Sequence, residues 1–144
     1  MNSYESYLED IGFVSKPFVN RIKPLLDIAS KMCPTEITDI IITNYIKNDL
    51  TIEFQSLWFF SDKYCLEAKE FLTKVDLDIA FFFESVKYWN IKLENYNYKK
   101  AFANSKILLE VGLLQGVELE FRAEGRNCDY LRNIINKYIK PNLV

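Results

Sequence analysis

The feature that most constrains this chain is a change of rhythm near Gly125. Upstream, residues 117–123 alternate: Val117, Leu119, Phe121 and Ala123 share one face, and Glu118, Glu120 and Arg122 take the other. A period of two marks a strand with one dry and one wet side. Downstream, Leu131, Ile134, Ile135, Tyr138 and Ile139 recur at helical spacing, and Asn127 stands at the expected N-cap. Before the alternating run, Ile107, Leu109, Val111 and Leu113 make another dry face. Gln115-Gly116 can reverse the chain between the two, because glycine tolerates the positive φ of a tight turn. The last third thus predicts a hairpin followed by a closing helix.

Working forward from the N-terminus, residues 1–34 predict a helical extension. Ser15 is placed to cap a helix that admits Pro17 in its first turn, and Phe18, Ile22, Leu25, Leu26, Ala29 and Met32 fall on one stripe. Pro24 interrupts that stripe and predicts a kink or two shorter helices. From Thr38 the pattern is extended: strands over 38–46, 50–60, 64–70, 72–79 and 87–94, with 80–85 open to strand or short helix. Residues 95–104 are polar and tyrosine-rich and predict a loop. This gives an α+β chain of about seven strands whose short connections favour antiparallel pairing, since a parallel crossover needs a dozen or more residues. Residues 35–144 form the sheet-and-helix unit, with 1–34 packed on it.

The pattern resembles the pleckstrin-homology-like (PH-like) fold. The carrying feature is the alternating strand VELEFRA (117–123) running through Glu124-Gly125 into NCDYLRNIINKYI. The resemblance covers roughly 38–140 and is architectural. It implies seven antiparallel strands in a partly open barrel with a C-terminal capping helix. It also implies a basic cluster in the first hairpin loop where such folds bind phosphoinositides. Here that loop is Ile46-Lys47-Asn48-Asp49, one lysine beside one aspartate, which makes no phosphate cradle.

Composition narrows the function classes. Of 144 residues 49% are hydrophobic and 15% aromatic, enough for a packed core, and the net charge of −2 draws the chain to no polyanion. Residues 36–96 hold six lysines against eleven acids and residues 97–144 eight basic groups against five acids, a mild dipole. Cys33, Cys65 and Cys128 are odd in number and widely spaced, which argues against disulfides and zinc and for free thiols in a reducing cytosol. The start of the chain lacks the basic and apolar regions of a signal peptide, and no apolar run is long enough to span a bilayer. A cytoplasmic protein is the expectation.

With no histidine, the commonest general base and metal ligand is missing, and the four glycines form no phosphate loop. Asp76 with Asp78, and Glu118 with Glu120, each project from one strand face. Such pairs could bind a divalent cation, but they read as solvated sheet surface. No enzyme, cofactor or metal site is expected.

Two sets of residues are candidates for binding. Leu57-Trp58-Phe59-Phe60 and Phe81-Phe82-Phe83 cannot all face one core, because neighbours on a strand alternate sides. Either the N-terminal helices cover the outer face, or Trp58, Phe59, Phe81 and Phe82 form an aromatic binding face. The second set is the basic-aromatic stretch Tyr96, Tyr98, Lys99 and Lys100, with Phe102 and Lys106 nearby, which reads as an ordinary soluble loop unless it meets a membrane surface. The expected function is a non-catalytic module of bacterial type that binds a protein, a peptide or its own copy as a homodimer. Binding would use a strand edge, the aromatic face or the groove beside the final helix. The alternatives are a small acidic immunity-type inhibitor of a cognate toxin and a lipid-head-group or membrane-surface domain. Nucleic acid is not an expected partner.

Overall fold

In a computed structural model the described residues are 4–43, 46–47, 52–53, 56–72, 78–82, 86–94, 106–114 and 116–143. Two helices open the chain, α1 (Glu5–Asp10) and α2 (Lys16–Met32). Among the described residues nine strands follow: β1 (Asp39–Thr43), β2 (Ile46–Lys47), β3 (Ile52–Glu53), β4 (Ser56–Phe60), β5 (Tyr64–Lys69), β6 (Asp78–Phe82), β7 (Val86–Glu94), β8 (Lys106–Leu113) and β9 (Glu118–Glu124). The closing helix α3 (Asn127–Ile134) runs into a π-helical turn, Ile135–Ile139, and a 3-10 turn, Lys140–Asn142.

The chain is α+β, and among the described residues every ladder between two named strands is antiparallel. One sheet has the order β1-β4-β5-β6, another β7-β8-β9, and β2-β3 extends the first hairpin. The two larger sheets approach each other along β1 and β9. Among the described residues no ladder joins them, so the described pairings do not close a barrel.

The hairpin predicted in the last third forms, with a difference in its turn. Leu113 N–H donates to Val117 O at 2.8 Å and Gly116 N–H to Leu113 O at 3.0 Å. Gly116 takes φ +84, where a side chain would be strained. β9 begins at Glu118, so Val117 belongs to the turn and is exposed, while Leu119, Phe121 and Ala123 face the core.

The helical stripe is buried as expected: Leu131, Ile134, Ile135, Tyr138 and Ile139 all lie in the interior. The π-helical turn begins at Ile135, and the buried side chains continue through it to Tyr138 and Ile139. Asn127 corrects the expected cap. Arg126 occupies the N-cap position, and Asn127, the first helical residue, is buried with its amide turned to other work. α2 likewise departs from expectation, running unbroken through Pro24. Pro24 is on the exposed side, and the buried row Ile22, Leu25 and Ala29 holds the helix on both sides of it. Ser15 precedes α2 as expected but makes no side-chain capping bond, and Met32, expected on the buried stripe, is exposed.

Aromatic rings fill the space between sheets and helix. Trp58 lies 4.4 Å from Phe121 between centroids, and Phe60 stacks on Tyr138 at 5.1 Å. Alternation turns Leu57 and Phe59 the other way, yet both are fully buried in the same core cluster that holds Ile22, Leu25 and Ala29 of α2. The N-terminal helices are tied down beside that sheet. Arg21 Nε donates to Phe71 O at 2.6 Å, and Phe13 packs near Phe18 and Phe71. These contacts put residues of the N-terminal helices and of the sheet in one core.

Candidate functional site

A sheet ends in a row of unpaired backbone donors and acceptors, so each edge strand must be covered or will seek a partner. At the edge of β1, Ile42 is covered. Tyr7 of α1 accepts from Ile42 N–H at 2.8 Å and donates to Asn127 Oδ1 at 2.8 Å. Asn127 Nδ2 in turn donates to Ile42 O at 2.7 Å. Two buried side chains thus satisfy both backbone groups of Ile42 in the manner of a missing strand. Burial pushes the Tyr7 hydroxyl well above its ordinary range, with only partial relief from these bonds. Tyr130 lies edge-on to Tyr7 at 4.5 Å and donates to Asp10, which also meets Arg126 at 2.8 Å.

β7 is different. It is nine residues long, the longest of the described strands, and lies at the edge of its sheet in the described pairings. Its inner edge pairs with β8 throughout, with a bulge between Val86 and Tyr88. Among the described residues, its outer edge makes one ladder contact, where Leu143 runs parallel to Val86. The span from Tyr88 to Glu94 is regular, and among the described residues no strand pairs with it on that side.

One face of β7 carries Trp89, Ile91 and Leu93 toward the core. The first two are half-buried, Lys140 Nζ stands 5.7 Å from the Trp89 ring, and Leu93 is 54% exposed. The other face presents Tyr88, Asn90 and Lys92. Tyr88 lies across Gly112 of β8, so closely that a Cβ there would fall 2.1 Å from the ring. Lys92 reaches Glu110 at 3.8 Å.

Beyond Glu110 the same face is acidic. Register places Glu110 opposite Glu120 and Gly112 opposite Glu118, and the carboxylates of Glu110, Glu118 and Glu120 come within 4.8 Å of one another. Sequence reading found the Glu118–Glu120 pair but not Glu110. The signal was the turn length: a two-residue turn at Gln115-Gly116 would have set Glu110 against Phe121, whereas the longer turn opposes it to Glu120. A hydrogen bond to Glu110, followed by lost solvation and the charges of Glu110 and Glu120, raises the Glu118 carboxyl above its ordinary range. This cluster can share a proton on the surface.

Of the expected aromatic face, Trp58 and Phe59 lie in the interior. Trp58 is 1% exposed and Phe59 0%, so neither can meet a partner while the fold holds. Trp58 Nε1 donates to Thr43 Oγ1 at 2.8 Å inside the core. Phe81 and Phe82 belong to β6, but their side chains lie outside the described residues, as does Phe83. Tyr96, Tyr98, Lys99, Lys100 and Phe102 also lie outside them. Lys106 is exposed and pairs with Glu124 at 3.2 Å. Of the other acid pair, Asp76 is outside the described residues and Asp78 is in register with Glu67.

A shallow cleft of about 640 Å³ opens near the end of the final helix, lined by residues that include Thr38, Asp62, Lys63, Lys137 and Tyr138. The Tyr138 hydroxyl bonds to Asp39 and to Thr38, and Lys137 meets the same Asp39 carboxylate at 2.7 Å. Burial, followed by the Asp39 bond, raises the Tyr138 hydroxyl above its ordinary range. These contacts hold the helix end to the start of β1. The three cysteines are buried and form no disulfide, and burial pushes the Cys128 thiol up to about 11, so it is a poor nucleophile at neutral pH. Among the described residues, no helix is long and apolar enough to cross a membrane.

No protein-family model, curated protein or solved structure matches this chain.

Proposed function

We propose that this protein is a non-catalytic interaction module whose working surface is the outer edge of β7, which takes up a strand supplied by a protein or peptide. One observation carries the reading: among the described residues no strand pairs with the outer edge of β7 beyond Val86, whereas at the β1 edge Tyr7 and Asn127 satisfy both backbone groups of Ile42. Backbone pairing would supply affinity along residues 88–94. The half-buried Trp89 and Ile91 and the exposed Leu93 would supply side-chain selectivity.

The same reading includes a finer statement about architecture. Seven principal strands, four in one sheet and three in the other, wrap as a partly open PH-like barrel with α3 as its stopper. Its support is the four-plus-three antiparallel order, the approach of the sheets at β1 and β9, and the packing of α3 against both. In such a barrel the opening falls between β6 and β7, the two edges left over.

The test is a photo-crosslinking residue in place of Leu93, introduced in the cell the gene comes from. Adducts are expected from position 93 and not from position 23 on the exposed side of α2. A protein that gives no adduct at position 93 does not use this edge.

A further inference from the structure

We infer that the cleft beside the end of the final helix is a binding site for a small organic ammonium ion. This site is independent of whether β7 takes up a strand.

Three parts of the chain form the cleft: the segment between α2 and β1, the turn between β4 and β5, and the end of the final helix. Its volume of about 640 Å³ suits a small molecule. The helix reaches the cleft through the π-helical turn Ile135–Ile139. Turns of that kind are rare and recur at functional sites. Here the turn carries Lys137 and Tyr138, and both meet the Asp39 carboxylate.

The ligand class follows from the groups left over once the internal bonds are made. On the helix side the donors are spent. Lys137 Nζ lies 2.7 Å from Asp39 Oδ2, the Tyr138 hydroxyl bonds to Asp39 and Thr38, and Asn142 Nδ2 donates to Tyr138 O at 2.7 Å. Acceptors remain. Asp62 lines the cleft and makes no hydrogen bond or ion pair among the described residues, though its charge acts on the Tyr138 hydroxyl. Asn142 Oδ1 is a second acceptor. The third is Thr35 Oγ1, which is buried and has no hydrogen-bond partner among the described residues. A buried hydroxyl left this way costs stability until a ligand supplies its partner.

Charge points the same way. Asp39 matches Lys137, and Glu36 and Lys63 bring one charge of each sign to the cleft, so Asp62 is left over. A primary ammonium has three donors, no acceptor and a single positive charge, and so answers Asp62, Asn142 Oδ1 and Thr35 Oγ1 together. A carboxylate or phosphate would instead face Asp62 and find the helix-side donors engaged. Pro141 and the stems of Lys63 and Lys137 offer apolar surface to a short hydrocarbon body.

The test titrates the isotope-labelled full chain with n-butylammonium chloride and follows its amide resonances, with sodium butyrate and n-butanol as controls at matched ionic strength. Butylammonium should give saturable shifts at Thr35, Asp62 and Asn142 that neither control reproduces. Asp62→Asn, on an exposed side chain, should weaken binding about fivefold. Thr35→Val should weaken it about threefold without lowering the melting temperature, since the hydroxyl has no partner to lose, and Thr35→Ser should keep the affinity. An absence of saturable shifts, shifts centred elsewhere, butyrate binding as tightly as butylammonium, or indifference to Asp62→Asn overturns the site. So does a Thr35→Val variant that loses stability and keeps its affinity, because the hydroxyl is then a structural group.

Discussion

The two edge strands β1 and β7 meet the same physical demand in opposite ways. At β1 the chain spends a buried tyrosine and a buried asparagine to satisfy one residue, Ile42, and so joins α1, β1 and α3 in one network. At β7 a longer strand is left with a surface tyrosine, a lysine and a partly bare apolar row. The first arrangement ties three elements together, while along the second no described strand pairs beyond Val86. A closed edge is a structural element; an open one of this length is a place for another strand.

Breaking the closed edge should have the largest effect. Asn127→Ala strands Ile42 O and the Tyr7 hydroxyl in the interior and should lower unfolding free energy by about 3 kcal/mol, read by denaturant titration. Tyr7→Phe strands Ile42 N–H and Asn127 Oδ1 and should cost about 2 kcal/mol. The double variant should cost less than the sum, because the two share one network.

Alkali should act on the same edge. The Tyr7 and Tyr138 hydroxyls are raised above the ordinary 10.0, so their neutral forms favour folding. Stability should therefore hold below about pH 10 and fall as pH rises beyond it. Tyr7→Phe should blunt that fall, as followed by circular dichroism.

The open edge should respond differently. Leu93→Lys places a charge on a mostly exposed side chain and should change unfolding free energy by about 0.5 kcal/mol or less. It should nevertheless reduce association strongly. If it unfolds the protein instead, Leu93 belongs to the core and the contrast between the edges fails.

The smallest effect belongs to the acidic face. With the Glu118 carboxyl raised by Glu110, the protonated cluster is favoured in the folded state. Its stabilising contribution is complete below the unfolded carboxylate range and is lost as pH rises through the raised value. Glu118→Gln should flatten that segment of the pH–stability curve and raise the melting temperature at neutral pH by no more than about 2 °C.

Much of this architecture was legible in advance. The alternation at Leu119, Phe121 and Ala123 and the helical spacing of Leu131, Ile134 and Tyr138 marked faces that are buried. Each depends only on residues near one another in sequence. The aromatics at 57–60 were the instructive case. Alternation announced that they must face two ways, but not that both ways lead inward, because that depends on where α2 lies. Pro24 shows a local rule overridden: the packing of Ile22, Leu25 and Ala29 carries the helix through it.

By itself, then, the sequence determined the kinds of element and the dry side of most of them, since periodicity is a property of adjacent residues. The tertiary structure decided which edges are closed. Tyr7 meets Asn127 across 120 positions, and Glu110 meets Glu120 only through the length of one turn. Neither relation is written in a local pattern. The open face of β7 arises the same way, because an edge exists only once every other strand has found its neighbour.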